Sequence, residues 1–161
     1  MSIAGTVEWK KETVGAEVWT EAIDCPESWG ELPARNLNKK LLDAEIERAK
    51  LLLALGEDWD GEGSPGYSGT TLDRAIAFLN MHTERLSDMY GIQVPIPSIG
   101  PGPEGSIDIH WKQPTWELLV NIPEDVEKMA AFYGDNYGSQ KVRGSLNPEY
   151  FNVGIAEWLA N

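Results

Sequence analysis

The chain has 161 residues, room for one ordinary domain with a terminal arm and too few for two independent cores. Hydrophobic residues make up 42% and charged residues 24%, which excludes a disordered composition. The 26 acids outnumber the 13 bases, and the formal charge of −13 repels phosphate backbones and anionic membrane surfaces, so no direct nucleic-acid binding is expected.

No apolar run reaches the roughly 18–20 residues of a membrane span. The start, Met1-Ser2-Ile3-Ala4-Gly5-Thr6, lacks the basic and apolar regions of a signal peptide. Cys25 is alone, so neither an internal disulfide nor a cysteine zinc site is expected. These features point to a cytoplasmic protein.

Residues 1–34 read as an acidic, tryptophan-containing arm, and residues 35–161 as a single domain. From Glu12 to Leu32 the arm holds Glu12, Glu17, Glu21, Asp24, Glu27 and Glu31, with no Lys or Arg. Trp9, Trp19 and Trp29 fall ten residues apart. Trp19 and Trp29, with Glu17, Glu21, Asp24, Glu27 and Glu31, are candidate partner-binding residues. An acid-only stretch repels itself, and a basic protein partner removes that repulsion. The competing reading is a strap whose tryptophans complete the core.

The first helix is expected from Asn38 to Leu55, with Leu42, Ile46, Ala49 and Leu53 on its apolar stripe. Asn36 or Asn38 can cap its start, and Gly56 is a natural stop. An irregular loop follows, because residues 57–69 hold four glycines and a proline. A second helix opens at Thr70 or Thr71, with Leu72, Ile76, Leu79 and Leu86 inward and His82 beside them. It ends before Gly91. Four prolines between 94 and 105 predict extended backbone, at most a sheet edge.

Ile107, Ile109 and Trp111 alternate with polar residues, as do Trp116, Leu118, Val120 and Ile122. This predicts an antiparallel hairpin, with 111 opposite 116 and the two tryptophans stacked. Pro123 opens a short helix to about Tyr133, on the spacing of Val126, Met129, Ala130 and Tyr133. A strand is expected around Gln140–Arg143. A last helix starts at Asn147, with Phe151, Ile155, Trp158 and Leu159 as its stripe. The fold class is α+β: a small antiparallel sheet with three to four helices packed mainly on one face.

Two constellations invite chemistry. Asp58, Asp60 and Glu62 alternate ahead of Gly63 like the start of a calcium loop, but the position of the bidentate glutamate holds Gly69. The expectation is no metal site, with the acids capping loop amides and Trp59 anchoring the loop. His110, in the expected register, faces Glu117, with Asp108 on the same side. That could orient a general base, so a small hydrolase or lyase using His110 with Glu117 or Asp108 is an alternative. No nucleophile, metalloprotease or phosphate-loop motif accompanies it, so no catalytic residue is assigned. A sugar-binding module on Trp59, Tyr67 and the acidic loop is a further alternative. No cofactor is expected.

The run Leu55-Gly56-Glu57-Asp58-Trp59-Asp60-Gly61-Glu62-Gly63-Ser64-Pro65, a helix with Ala75 and Phe78, then Pro95-Ile96-Pro97 and Gly105-Ser106-Ile107-Asp108-Ile109-His110-Trp111 occur in that order. This pattern resembles a loose family of small uncharacterised bacterial proteins. They share a Trp-Asp-Gly-x-Gly loop, a Pro-rich stretch and a Gly-x-Ile-x-x-x-Trp strand, and sit in defence or toxin–antitoxin neighbourhoods. The resemblance covers about residues 40–122 and carries over no catalytic residue. It implies no known activity and adds only slightly to the case for a toxin-neutralising or inhibitor role. The combined reading is a non-enzymatic cytosolic binding protein of antitoxin, immunity or inhibitor type, covering a basic surface of a partner protein.

Overall fold

The computed structural model describes residues 31–161, and the chain divides between Asn36 and Leu37. Within Leu37–Asn161 the architecture is α+β. A five-stranded antiparallel sheet runs in simple order, β1 Ser98–Pro101, β2 Ile107–Lys112, β3 Glu117–Ile122, β4 Ala130–Asp135 and β5 Lys141–Leu146. The helices are α1 Glu31–Ala49, α2 Gly69–Tyr90 and α3 Val153–Leu159.

Alternation builds the core. Ile107, Ile109 and Trp111 of β2 and Leu118, Val120 and Ile122 of β3 lie on one face and are buried. Helix α2 covers them with Leu72, Ala75, Phe78, Leu79 and Leu86, and α3 adds Ile155, Trp158 and Leu159. The other face carries Asp108, His110, Glu117, Leu119, Asn121, Tyr133 and Asp135.

The hairpin register is two residues from the expected one. Trp111 faces Leu118, Ile109 faces Val120 and Ile107 faces Ile122. The connection runs from Gln113 to Trp116, closed by Gln113 N–H donating to Trp116 O at 2.8 Å, so Trp116 belongs to the turn. An even shift keeps each side chain on its predicted face, which is why the core list survives. Trp116 packs edge-on against Trp158, with ring centres 6.4 Å apart, rather than stacking on Trp111.

Three helix expectations are corrected. Asn36 and Asn38 lie inside α1, and Asn38 Nδ2 instead donates to Val94 O at 3.1 Å, fastening the Pro-rich stretch. The helix tightens to a 3-10 turn over Lys50–Ala54, so Leu52 is buried while Leu53, expected inward, is exposed. The helix expected after Pro123 is absent: residues 130–135 are β4, where pairing with β3 outweighs a local helical spacing. The last helix begins later than expected. Asn147 caps only a turn, and Asn152 is the N-cap of α3, its side chain accepting Ile155 N–H at 3.0 Å.

Helix α2 begins as the sequence suggests, though its cap is Ser68, whose hydroxyl accepts Thr71 N–H at 3.2 Å. Gly91 ends it in the left-handed region, at φ 66°. No helix among the described residues is long and apolar enough to cross a membrane.

Candidate functional site

Trp19, Trp29, Glu17, Glu21, Asp24 and Glu27 lie outside the described residues. Glu31 opens α1. Two regions of the described chain gather polar side chains: the sheet face opposite the core and the turns at one of its ends.

On the sheet face, His110 Nε2 lies 3.1 Å from Glu117 Oε2. The pair is diagonal, because His110 faces Leu119 and Glu117 faces Lys112. Both side chains are partly exposed. Asp108 is not the partner of His110. It faces Asn121, whose Nδ2 donates to Asp108 Oδ1 at 2.6 Å and to Ser106 Oγ at 2.7 Å. Ser106 in turn donates to Pro103 O at 2.6 Å. A third cluster centres on Asp135, which accepts Tyr133 Oη–H at 3.0 Å and Tyr137 N–H at 2.7 Å and pairs with Lys141 at 2.8 Å. The Lys141 ammonium beside Asp135 holds its carboxyl below the usual range.

The sequence reading missed Asn121, Ser106, Tyr133, Asp135 and Lys141. The signal was present for the first two. Alternation places Asp108 and Asn121 on one face, and Gly102 sits where a Cβ would lie 2.8 Å from Asn121 Nδ2 and 2.9 Å from Asp108 Oδ1. A glycine at this position permits the close packing against the network.

At the sheet end, three segments meet. Tyr67 Oη donates to Gly102 O at 3.0 Å, joining the 57–68 loop to the turn before β2. A Cβ on Gly105 would stand 3.0 Å from Glu124 Oε2 and 3.5 Å from Gly66 O, so the turn after β3 is adjacent too. These segments present Glu57, Asp58, Asp60, Glu62, Glu104, Glu124, Asp125 and Glu127, all exposed, with Lys128 among them.

Three of these acids bond the loop itself, Glu57 through a long 3.5 Å bond from Gly66 N–H. Asp58 Oδ1 accepts Gly63 N–H at 2.6 Å, from a left-handed backbone at φ 58°. Asp60 Oδ1 accepts the amides of Glu62 and Ser64 at 3.0 and 3.2 Å, and its other oxygen accepts the Ser64 hydroxyl. The Ser64 hydroxyl bond, with the amide bonds, lowers the Asp60 pKa. Trp59 leans on Tyr67, with ring centres 6.2 Å apart, and is itself 38% exposed. Glu62, Glu104, Glu124, Asp125 and Glu127 complete the exposed acidic surface with Glu57. Among the described residues, no group of three or more His, Cys, Asp or Glu side chains is placed to hold a metal ion. No family model, curated protein or solved structure matches the chain.

Proposed function

We propose that the protein is a non-enzymatic binding protein of antitoxin, immunity or inhibitor type that covers a basic surface of a partner protein. The observation that carries this reading is the meeting of three acidic turns at one end of a rigid sheet. Their negative charge is held in place by the Asp58 and Asp60 bonds and by Tyr67. Such a field accelerates encounter with a cationic surface. Residues 12–32 add six acids on the same reading, with Trp19 and Trp29 as the apolar anchors that slow dissociation.

The test has two steps. The full chain captures its partner from a bacterial lysate, and the partner is then purified. Binding and thermal midpoint are measured together for the full chain and for a chain lacking residues 1–34. Binding lost with the midpoint kept supports the arm as part of the interface. Full retention of binding removes the arm from the proposal.

The pair of His110 and Glu117 favours a second reading, a small hydrolase or lyase. A carboxylate 3.1 Å from an imidazole fixes the ring and its tautomer, as a general base requires. Turnover of chromogenic ester substrates, abolished in a folded His110→Ala variant, would establish it. Turnover that survives that substitution would dismiss it.

A further inference from the structure

The two edges of the sheet are treated differently. At β1 the edge is closed. Ile99 N–H donates to Glu45 Oε1 at 2.6 Å, and Ile99 O accepts from Arg48 Nη2 at 2.5 Å. The two α1 side chains, themselves joined by a 2.8 Å Arg48 Nε to Glu45 Oε2 bond, stand in for the missing neighbouring strand. Pro101 further removes a donor from β1. At β5 no side chain among the described residues bonds the outward backbone. Lys141, Arg143, Gly144 and Ser145 are exposed, and among the described residues β4 is the one strand paired with it. An unpaired strand edge is a template for another strand.

We propose that the β5 edge is a docking site for an extended peptide of a partner protein, with side chains alternately acidic and apolar, added as a sixth strand. The side chains of β5 select that pattern. Lys141, Arg143 and Ser145 project from the sheet face opposite the core, and Arg143 has no acidic partner among the described residues. Val142 and Gly144 project from the other face. There a groove of about 630 Å³ is lined by Phe132, Val142, Trp116 and Trp158, together with Gln140 and Glu157.

Gly144 matters to this groove. A Cβ there would stand 3.0 Å from the Phe132 ring, so its absence leaves that half-buried ring within reach of a neighbour. A strand laid along β5 alternates in the same way. Its acids meet Arg143, beside Lys141 already paired to Asp135, and its apolar side chains meet Val142 and Phe132. A second copy of this chain is a poor occupant. Two β5 strands side by side bring Lys141 and Arg143 of both copies onto one face, where like charges repel. The site lies apart from the acidic turns, so its failure leaves the proposed function untouched.

The test uses the isotope-labelled full chain and a capped synthetic peptide of eight residues alternating glutamate and valine. Amide shifts confined to residues 141–146, with slowed hydrogen exchange there, are the expected result. Arg143→Glu lies at an exposed position and should weaken binding about tenfold or more, with an unchanged thermal midpoint. A peptide with lysine in place of glutamate should bind about tenfold more weakly or worse. Methylating the peptide's alternate amides on the β5 side should abolish binding, a result that does not depend on any variant of the protein. No shift along β5 at millimolar peptide would overturn the proposal and leave the cations as guards against self-association. Equal binding of the lysine peptide, or a dimer paired through β5, would overturn it as well.

Discussion

His82 joins two elements through both of its ring nitrogens. It is fully buried, with Nδ1–H donating to Phe78 O at 2.9 Å and Nε2 accepting Asn152 N–H at 3.0 Å. This tautomer is assigned from the bonding pattern, since Asn152 N–H can only donate. A proton on Nε2 would point at that donor and detach the cap of α3. The ring stacks on Phe151 and lies tilted against Phe78, and the Arg85 guanidinium packs on this cluster, 4.8 Å over Phe151. Burial pushes the His82 pKa down.

The unfolded chain therefore takes up a proton near pH ~6.5 that the folded chain refuses, and stability falls as pH drops below that value. Urea midpoints should decline between about pH 7.5 and 5.5, and decline less in His82→Gln. An equal decline in both proteins would contradict this. The sequence placed His82 beside the α2 stripe, but its link to Asn152 spans 70 residues and follows no local pattern.

Tryptophans give a second test at this scale. Trp111 is fully buried, and Trp111→Ala should cost about 3–5 kcal/mol in chemical denaturation. Trp116 and Trp158 should show a coupling of about 0.5–1.5 kcal/mol in a double-mutant cycle. Trp111 and Trp116 should add nearly independently. Coupling in the second pair and none in the first would restore the register in which 111 faces 116.

Among the elements, the β1 edge makes the sharpest prediction. Glu45 is pulled below its ordinary pKa by the Arg48 bond, against burial and with help from Ile99 N–H. Its contribution is present above the unfolded carboxylate pKa and is lost as pH falls through the lower folded value. Glu45→Ala leaves the Ile99 amide without its acceptor. A cost of about 1–3 kcal/mol and faster exchange at that amide are expected. Unchanged exchange would mean that the carboxylate does not close the edge.

A glycine in β4 gives a parallel case. A Cβ on Gly134 would stand 3.0 Å from both Trp158 and Val142, so Gly134→Ala should lower the thermal midpoint by displacing Trp158.

The legible elements were those whose own residues decide them. Alternation marked β2 and β3, and Gly91 marked the end of α2, whereas its start, expected at Thr70 or Thr71, is set by the Ser68 cap. β4 was misread because Val126, Met129, Ala130 and Tyr133 match a helix, yet Val126 and Met129 are exposed in the turn before the strand. Ala131 through Asp135 pair with β3 residue by residue, and non-local pairing is invisible to a local spacing rule. The hairpin shift has a related cause. Trp116 is apolar enough to read as strand, but the turn needs its carbonyl to accept Gln113 N–H.

For the whole molecule, the charge is not spread evenly. The turns at one sheet end hold eight acids, while Lys141 and Arg143 mark the free edge. The loop acids were legible as candidates from their spacing. Their company with Glu104, Glu124 and Glu127 was not, because only the sheet brings those turns together. The proposed function depends on that gathering.

The most direct measurement is the association rate of the purified partner as a function of salt. It compares the full chain with a variant carrying Glu57→Gln, Glu62→Gln, Glu104→Gln and Glu127→Gln, which spares Asp58 and Asp60 and the loop they hold. The account predicts that the variant keeps its thermal midpoint, associates about tenfold or more slowly at low salt, and loses much of its salt dependence. An association rate and a salt dependence equal to those of the unaltered chain would contradict it.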